Sequence, residues 1–484
     1  IRIAREWRQG LLLLLHYVAL AAPFFCSGAA VGQLLAAQPH KAHRIYTANL
    51  LGSAAGCALA IAAPALVGGE GVVFLSAALG LGAALAFGRT PASERQTPRP
   101  PSLRNLRAST VIQVALLIAM LVGAVRTPPV LRVRLSPYKA LSYLLQVPDA
   151  ERIFQRWNGF SRVDVVDSSS IRGLAGSGFR CSLQPPPQRA LTVDGDDVSY
   201  IHHIPPGFTD VGYTDCLLGA LPYQLRPGAE VFILEPRGGA DVVTALAQGA
   251  RSVTVVEPNP LTVEAVRAQG RWAGELYDDP RVEVVLEEGR TFAKRSGASR
   301  TREPRNLAPS SSEHADILVL SLTGSQRTVT SGAYSLNEDY RHTRQAFSDY
   351  LARLEPEGLL LMTRWLQVPP SESIRAFALV VEALEQADVD PRARIVALRS
   401  YRQMLILASK TPFTHEDLRE VRAFAEPRAF DLVYTPDLAE HEVNRHNVLP
   451  EPAYHRAYLA LLDSENRESW YDAYPFNVRP PTDD

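Results

Sequence analysis

The stretch Glu230–Pro260 constrains the fold of this 484-residue chain more than any other. Its pattern predicts a strand, a glycine-containing turn, a helix and a second strand that ends at the acidic Glu257. Such a unit is typical of an α/β domain whose turn and helix N-terminus favour an anionic group. An acid at the end of the second strand can accept hydrogen bonds from ribose hydroxyls. The stretch therefore predicts a nucleotide-type pocket, although Glu235, Pro236 and Arg237 stand where such turns usually carry glycine.

Strand and helix patterns alternate along the rest of this region and predict a doubly wound sheet. The predicted strands are Val231–Leu234, Val253–Glu257, Val282–Leu286, Ile317–Ser321 and Leu359–Thr363. Two later runs, Arg394–Leu398 and Met404–Ser409, predict a closing antiparallel hairpin, which is typical of class I methyltransferase-like folds. Earlier runs at Arg162–Val166 and Ala190–Val193 predict a small β domain that precedes the main sheet.

The first 127 residues are apolar and almost free of acids, whereas residues 128–484 have the composition of a soluble protein. Four segments are long and apolar enough to cross a bilayer of about 30 Å, which needs about 20 residues, although the third is short. They are Leu11–Ala37, Ile45–Val67, Gly71–Phe87 and Thr110–Val125. For any single segment a buried core helix is the alternative, but four in succession predict a multi-pass membrane domain with the lipid bilayer as its partner.

Charges and cysteines bear on membrane orientation, nucleic-acid binding, disulfides and metal sites. The loops on the two sides of the predicted membrane domain carry equal numbers of basic residues. The positive-inside rule therefore does not resolve its orientation. A nucleotide-type cofactor would require the soluble part to be cytoplasmic, and we therefore expect it on that side of an inner, cytoplasmic membrane. No basic run with interleaved aromatics indicates nucleic-acid binding. The four cysteines are scattered and predict neither a disulfide framework nor a metal site.

Loops at the carboxyl ends of the predicted strands carry the candidate cofactor-binding residues. They are Gly238, Gly239, Asp241, Glu257, Glu288 and Gly289. The glycines allow close backbone approach, Glu257 would bind ribose, and a carboxylate at Glu288 could accept a hydrogen bond from an adenine amino group. The alternatives are a solvated strand end for Glu257 and surface acids in a turn for Glu288.

No single residue stands out as catalytic. The candidates are Asp215, Asp241, Ser321 and Glu338. Ser321 begins the loop after the fourth strand, where a reacting group often lies in this fold, but it has no apparent His or Asp partner. Tyr334, Glu338 and Tyr340 could line the mouth of the pocket or could be a helix cap and core aromatics. The spacing of the histidines predicts no metal site.

From Val193 to Ser409 the sequence resembles the spermidine synthases. With the apolar segments it resembles the bacterial membrane-anchored spermidine synthase-like proteins, which are polyamine aminopropyltransferase-like. The matching residues are Gly238-Gly239 in the glycine-rich loop, Glu257 at the ribose acid, Glu288-Gly289 at the adenine contact, Val193-Asp194-Gly195 in the β domain and Tyr213-Thr214-Asp215 at the amine-binding motif. The resemblance implies S-adenosylmethionine or decarboxylated S-adenosylmethionine as the cofactor, without a metal, and a homodimer.

The chain departs from that family at the fourth strand. Aminopropyltransferases carry Asp-Ser-Ser-Asp-Pro there, and attack by an amine needs a carboxylate as general base. Here the run is Ser321-Leu322-Thr323-Gly324-Ser325, and Arg237 would repel a polyamine cation. Two hypotheses stay open: group transfer from an S-adenosylmethionine-type donor, and a non-catalytic membrane scaffold or sensor that retains the fold. A transporter is disfavoured because the apolar segments are poor in charge.

These patterns predict an α/β protein with N-terminal transmembrane helices, a small β domain and a class I methyltransferase-like, Rossmann-like doubly wound sheet as in spermidine synthase. The predicted domains are a membrane domain of about four helices at 1–127, a linker and small β domain at 128–215, the Rossmann-like domain at 216–410 and a C-terminal helical extension at 411–484. Residues 297–313 are predicted to be a disordered insertion. A first residue other than Met suggests a fragment of a longer membrane protein.

Overall fold

The computed structural model describes residues 7–88, 103–295, 313–322 and 339–483. The chain divides into two compact units. The first comprises the described residues up to Val133 together with Trp157–Phe160, and the second comprises Arg134–Arg156 and the chain from Ser161 onward. Almost all of the predicted insertion at 297–313 lies outside the described residues.

The first unit is built from apolar helices. They are α1 (Trp7–Ala37), α2 (Ala42–Gly88) and α3 (Leu103–Val125). Because Gly68 has a non-helical φ of 73°, α2 consists of two helical stretches that correspond to the second and third predicted segments. Among the described residues, two stretches, Gly10–Ala37 and Pro39–Phe87, are long and apolar enough to cross a membrane, and Thr110–Val125 is a shorter apolar helix.

The apolar side chains of α1 form no core within the unit. The most apolar window of this helix has no buried residue, and the ring of Phe24 is 82% exposed. An apolar surface of this extent is unfavourable in water and is typical of an interaction or membrane surface. The core helix of a soluble protein or a signal sequence can have the same length and apolar composition. A soluble core helix, however, would be mostly buried.

The second unit begins with a four-stranded sheet in the order β1-β2-β3-β4. Its strands are β1 (Glu151–Trp157), β2 (Arg162–Asp167), β3 (Gln188–Val193) and β4 (Asp197–His202), and the short helix α4 (Ala140–Leu144) precedes them. The pairs β2–β3 and β3–β4 are antiparallel. The small β domain is therefore present. Its strands β2 and β3 are the two that the sequence predicts, and β1 and β4 are two further strands that flank them.

The main sheet has eight strands in the order β12-β10-β11-β9-β8-β5-β6-β7. They are β5 (Glu230–Leu234), β6 (Ser252–Val256), β7 (Val282–Val285), β8 (Ala315–Leu320), β9 (Leu354–Trp365), β10 (Ile395–Arg399), β11 (Gln403–Ser409) and β12 (Asp431–Tyr434). Strands β5 to β9 pair in parallel, whereas β11 runs antiparallel to both β9 and β10. This order with its closing hairpin is the class I methyltransferase-like arrangement, so the predicted fold class is confirmed.

Helices cover both faces of this sheet. They are α5 (Leu221–Leu225), α6 (Ala240–Ala247), α7 (Pro260–Arg267), α8 (Gly289–Lys294), α9 (Arg344–Ala352), α10 (Glu372–Gln386), α11 (His415–Arg428), α12 (Ala453–Asp463) and α13 (Arg467–Ala473). Alternate residues of β5 enter different cores, because successive side chains of a strand point to opposite faces. Val231 and Ile233 join the core with α6 and α7, whereas Phe232 and Leu234 join the core with α9 and α10.

The C-terminal region differs from the predicted helical extension. Helix α11 begins after a capping box formed by Thr414 and Asp417, as the sequence predicts. The next element, β12, is a four-residue buried strand that pairs antiparallel with β10 at the edge of the main sheet. Only three apolar or half-apolar residues follow Asp431 in this strand, too few to show a period, so only pairing with β10 identifies it as a strand.

A disulfide joins Cys181 and Cys216 in the second unit. The expectation that the cysteines form no disulfide is therefore wrong for this pair. The two residues are 35 positions apart in sequence, and tertiary structure brings them together, since the backbone N–H of Gly178 donates to the carbonyl of Cys216 at 3.0 Å. Cys26 and Cys57, both in the apolar helices, are free.

Candidate functional site

The turn after β5 packs directly against the small sheet. Glu235 and Arg237 adopt positive φ angles of 54° and 53°, and Gly239 follows with 84°. Residues with a Cβ hold this left-handed conformation only where their surroundings compensate its cost. A Cβ on Gly238 would lie 2.5 Å from the carbonyl oxygen of Tyr200 on β4. The missing side chain at Gly238 therefore serves a contact within the protein.

Arg237 is the centre of a buried ion-pair cluster at the carboxyl edge of the main sheet. Its side chain is only 13% exposed, and its guanidinium lies 2.9 Å from Glu257, 3.1 Å from Glu235 and 3.3 Å from Asp197. Burial lowers the pKa of Arg237, but the three carboxylates outweigh it, so the pKa is raised. Removing one partner from such a cluster leaves buried charge without compensation. Each of the four side chains, Arg237, Glu235, Glu257 and Asp197, therefore depends on the others for compensation of its charge.

Glu257, the acid that the sequence assigns to ribose, already has protein partners. Its Oε1 accepts hydrogen bonds from the Arg237 guanidinium at 2.9 Å and from the backbone N–H of Asn259 at 3.0 Å. Burial raises the pKa of this fully buried carboxyl, and Arg237 opposes the rise. Its Oε2 is buried and has no hydrogen-bond partner among the described residues. A ribose would thus meet one oxygen engaged by Arg237 and one without a partner.

The cluster continues across the edge through a second arginine. The Arg341 guanidinium lies 2.5 Å from Glu235 and 2.7 Å from Asp339, and Asp339 lies 2.8 Å from Nδ1 of His342. Burial lowers the pKa of His342 to about 4. Burial raises the pKa of Asp339, but His342 and Arg341 outweigh it and hold the pKa below its usual range. Charged groups from four separate segments therefore bind one another.

Two of the catalytic candidates lie together at this edge. Asp241 is in the first turn of α6, and Ser321 directly follows β8. Burial raises the pKa of Asp241, and the adjacent Ser321 hydroxyl opposes the rise. A raised carboxyl pKa suits proton transfer near neutral pH. A catalytic role of either residue stays a prediction.

Glu288 and Gly289 have a role in local structure. Glu288 is the N-cap of α8, and its carboxylate accepts hydrogen bonds from the backbone N–H groups of Arg290 at 3.0 Å and Thr291 at 2.7 Å. Such a cap satisfies amide groups that the helix itself leaves unpaired. A Cβ on Gly289 would lie 3.2 Å from the side chain of Leu234. Both residues are therefore explained by packing and capping, and the adenine contact stays a prediction.

Asp215 does not lie beside the other candidates. Its carboxylate accepts a hydrogen bond from the side chain of Gln248 at 2.6 Å, at the C-terminal end of α6. Asp241 is at the opposite end of that eight-residue helix, which spans about 12 Å. Glu338, Tyr334 and residues 323–325 lie outside the described residues. Tyr340 is exposed, and its carbonyl accepts a hydrogen bond from Arg290 at 3.3 Å.

The sequence reading noted the charge of Arg237 but missed its partners. Asp197, Asp339 and Arg341 come from segments that no motif links to the turn. One signal was available, because an arginine next to a strand end must find acids when it is buried. In the described ranges, no group of three or more His, Cys, Asp or Glu could hold a metal ion.

Comparison with known proteins gives a likeness of fold only. No protein-family model and no curated protein matches the chain. A spermidine synthase from Thermotoga maritima is 17% identical with a TM-score of 0.36, covering 56% of this chain and 78% of its own. A spermidine synthase in complex with the transition state analogue AdoDATO is 16% identical with a TM-score of 0.37, covering 64% and 87%.

A human methyltransferase-like protein 13 in complex with SAH is 13% identical with a TM-score of 0.28, covering 44% of this chain and 88% of its own. Identities and scores this low support no statement about chemistry. The strand order and the preceding four-stranded sheet define the class: an α/β protein with a spermidine synthase-like, class I methyltransferase-like fold.

Proposed function

We propose that this chain is a membrane-anchored, non-catalytic scaffold or sensor that retains the spermidine synthase-like fold. The observation that carries the proposal is the contact between Arg237 and Glu257 at 2.9 Å. In a nucleoside site of this fold the acid after the second strand accepts hydrogen bonds from ribose hydroxyls. Here that acid is buried and its Oε1 is already engaged by an arginine of the same chain, which disfavours an S-adenosylmethionine-type ligand.

Breaking this contact to admit a ligand would be costly. A ligand that took the place of Arg237 at Glu257 Oε1 would have to separate this arginine from carboxylates, of which Glu257 is fully buried and Glu235 nearly so. Loss of one partner from a buried ion pair costs about 3–5 kcal/mol. A ribose supplies only neutral hydroxyl groups and cannot replace the guanidinium charge. The cluster therefore competes with nucleoside binding.

The chemistry at the fourth strand agrees with this proposal. Attack by a polyamine nitrogen needs a positioned carboxylate to take its proton. The run Ser321–Ser325 contains no acidic residue, and Ser321 itself lies beside Asp241.

Anchoring in a bilayer is proposed for the first unit. Its two long apolar helices expose their side chains, and the shorter apolar helix Thr110–Val125 follows them. Placing these side chains among lipid chains would remove a large apolar surface from water. We propose that this unit is a multi-pass membrane domain.

The disulfide bears on the side of the membrane that the second unit faces. Both cysteines of that unit, Cys181 and Cys216, are paired with each other, whereas the free Cys26 and Cys57 lie in the apolar helices. Disulfides persist in oxidising compartments and are rare in the cytosol. This favours an orientation opposite to the predicted cytoplasmic one. An extracytoplasmic unit would also be separated from cytosolic nucleoside cofactors, in agreement with the closed site.

A second candidate function is group transfer from an S-adenosylmethionine-type donor. The observation that favours it is the buried Oε2 of Glu257, which has no hydrogen-bond partner among the described residues and could accept one from a ribose hydroxyl. Asp241, whose pKa burial raises, would then be the candidate base.

Turnover separates the two candidates. The full chain in lipid nanodiscs is incubated with decarboxylated S-adenosylmethionine and putrescine, or with S-adenosylmethionine, and release of methylthioadenosine or S-adenosylhomocysteine is measured. A spermidine synthase serves as the positive control. We expect no release. Turnover that Glu257→Gln abolishes and the exposed-site control Glu283→Gln retains would overturn the non-catalytic proposal.

Orientation is tested in intact cells with the variant C26S/C57S, which keeps only the disulfide cysteines. A membrane-impermeant reductant is followed by a membrane-impermeant maleimide. We expect Cys181 and Cys216 to be labelled in intact cells. Labelling only after lysis would place the second unit in the cytoplasm and contradict this part of the proposal.

A further inference from the structure

A cavity of about 320 Å³ lies at the carboxyl edge of the main sheet, over β9 and β10. Leu366 follows β9, Arg399 ends β10, and Tyr401 and Arg402 form the turn between β10 and β11. None of its lining residues belongs to the Arg237 cluster, and β8 separates β9 from β5 in the sheet. Ligands of open α/β sheets bind at this edge, and the volume is at the lower end of small-molecule pockets.

One arginine of the cavity is fixed and electrically balanced. The Arg399 side chain is 3% exposed and lies 2.9 Å from Asp431, and it donates to the Asn444 side chain at 2.9 Å and the Asn447 carbonyl at 2.5 Å. Asp431 also accepts hydrogen bonds from three successive backbone N–H groups, of which that of Asn447 is at 2.9 Å. Arg399 and Asp431 therefore form a rigid wall with no net charge.

The second arginine is not balanced in this way. Arg402 is exposed at the rim, and none of the carboxylates in the described ranges forms an ion pair with it. Its guanidinium carbon lies 5.8 Å from the centre of the Tyr401 ring, and its carbonyl accepts a hydrogen bond from the backbone of Leu366 at 2.8 Å. The turn is thus held to the end of β9, and the cavity carries one uncompensated positive charge at its rim.

The rest of the lining combines apolar and aromatic side chains with the polar residues Gln367 and Asn447. The Tyr454 ring is buried, and its hydroxyl donates to the Gln367 carbonyl at 2.8 Å, so this hydroxyl is already bonded within the protein. Leu366 and Leu449 complete this part of the lining. A lining that joins apolar side chains to a few polar groups is typical of a site for a small organic molecule.

We propose that this cavity binds a small organic monocarboxylate, with its carboxylate at Arg402 and its apolar body against Tyr454 and Leu449. One unbalanced guanidinium selects a single negative charge, because arginine pairs with carboxylate through charge-assisted hydrogen bonds. A cation would be repelled, and a neutral molecule would lose that contact. The proposal goes beyond the proposed function and does not depend on whether the nucleoside site is closed.

The test uses the full chain in nanodiscs and a matched set of probes: benzoate, hexanoate, the neutral benzamide and the cationic benzylamine. Binding is measured by calorimetric titration up to about 10 mM. We expect a carboxylate to bind at least about tenfold more tightly than benzamide, with no binding of benzylamine.

Variants locate the binding. Arg402→Gln removes the rim charge from an exposed turn, and we expect it to weaken carboxylate binding about tenfold or more. Arg271→Gln, at another exposed arginine, is the control and should leave the affinity unchanged. Failure of both carboxylates to bind, equal binding of benzoate and benzamide, or unchanged affinity in Arg402→Gln would each overturn the proposal.

Discussion

Two regions at the carboxyl edge of the main sheet differ in whether their arginines are paired with acids. Over β5 and β6, Arg237 and Arg341 form ion pairs with acids of the same chain. Over β9 and β10, Arg399 is balanced by Asp431, but Arg402 has no ion-pair partner among the described residues and lies beside a cavity. Both regions lie where open α/β sheets usually bind ligands. The comparison teaches that the fold supplies the position of a site, whereas the local charge balance decides whether a ligand can occupy it.

The largest effect is expected at the closed region. Arg237→Ala leaves buried Glu257 and Glu235 without their partner and should lower the free energy of unfolding by about 3–5 kcal/mol. Denaturant unfolding in nanodiscs measures this loss. Arg251→Ala removes a 70% exposed arginine from an ion pair with Glu230 and should cost less than about 1 kcal/mol.

The loss of unfolding free energy in Arg237→Ala should depend on pH. Burial raises the pKa of Glu257, and Arg237 opposes the rise, so the folded-state pKa rises further in Arg237→Ala. A carboxyl whose folded pKa lies above its unfolded pKa destabilises the fold where it is ionised. The difference in unfolding free energy between the wild type and Arg237→Ala should therefore become smaller as the pH falls. A deficit that is independent of pH would show that the buried carboxylates are not its cause.

The next effect concerns the disulfide, which lies outside both regions. Replacing Cys181 and Cys216 by Ser should lower the free energy of unfolding by about 2–4 kcal/mol, because the unfolded chain regains freedom over the 35-residue separation. Cys26→Ser with Cys57→Ser is the control and should leave it unchanged. A double variant Cys181→Ser/Cys216→Ser as stable as the wild type would show that the pair is not bonded in the protein.

Gly238→Ala tests how tightly the closed region is packed. The new Cβ would lie 2.5 Å from the Tyr200 carbonyl, so the turn must shift, at a cost of about 1–3 kcal/mol. Gly219→Ala, where a Cβ meets nothing within 4 Å, is the matched control. If the two variants unfold at the same denaturant concentration, the turn does not pack against β4 as described.

The smallest effect is expected at Glu288. If this residue acts only as the cap of α8, Glu288→Ala should cost about 1 kcal/mol, as a lost N-cap does. Thr414→Ala, which removes the cap of α11, should cost a similar amount and provides the scale. A change in nucleoside binding in Glu288→Ala would restore its predicted adenine role and weaken the contrast between the two regions.

Sequence reasoning reached the fold more readily than the site. The strand and helix patterns around Glu257 and the closing hairpin are local, so they predict the parallel sheet and its antiparallel end. The short strand β12 and the disulfide depend on pairing across the fold, which local patterns do not contain.

The roles of the predicted site residues stay predictions, and their contacts could not be inferred from the sequence for the same physical reason. Glu257 lies where the strand pattern places it, but it is paired with Arg237, whose buried charge is also compensated by Asp197 and Glu235. Such a cluster forms only when distant segments meet. A motif comparison that assigns one residue at a time therefore could not anticipate that the ribose acid would be paired within the chain.

The most direct test of the difference between the two regions is calorimetric titration of the full chain in nanodiscs with methylthioadenosine, followed by benzoate in the same cell. The ion-pair cluster predicts no heat from methylthioadenosine, and the open cavity predicts a saturable heat from benzoate that Arg402→Gln weakens. Saturable binding of methylthioadenosine that Glu257→Gln abolishes would contradict the proposed closure of this site, because it would show that Glu257 binds a nucleoside despite its contact with Arg237.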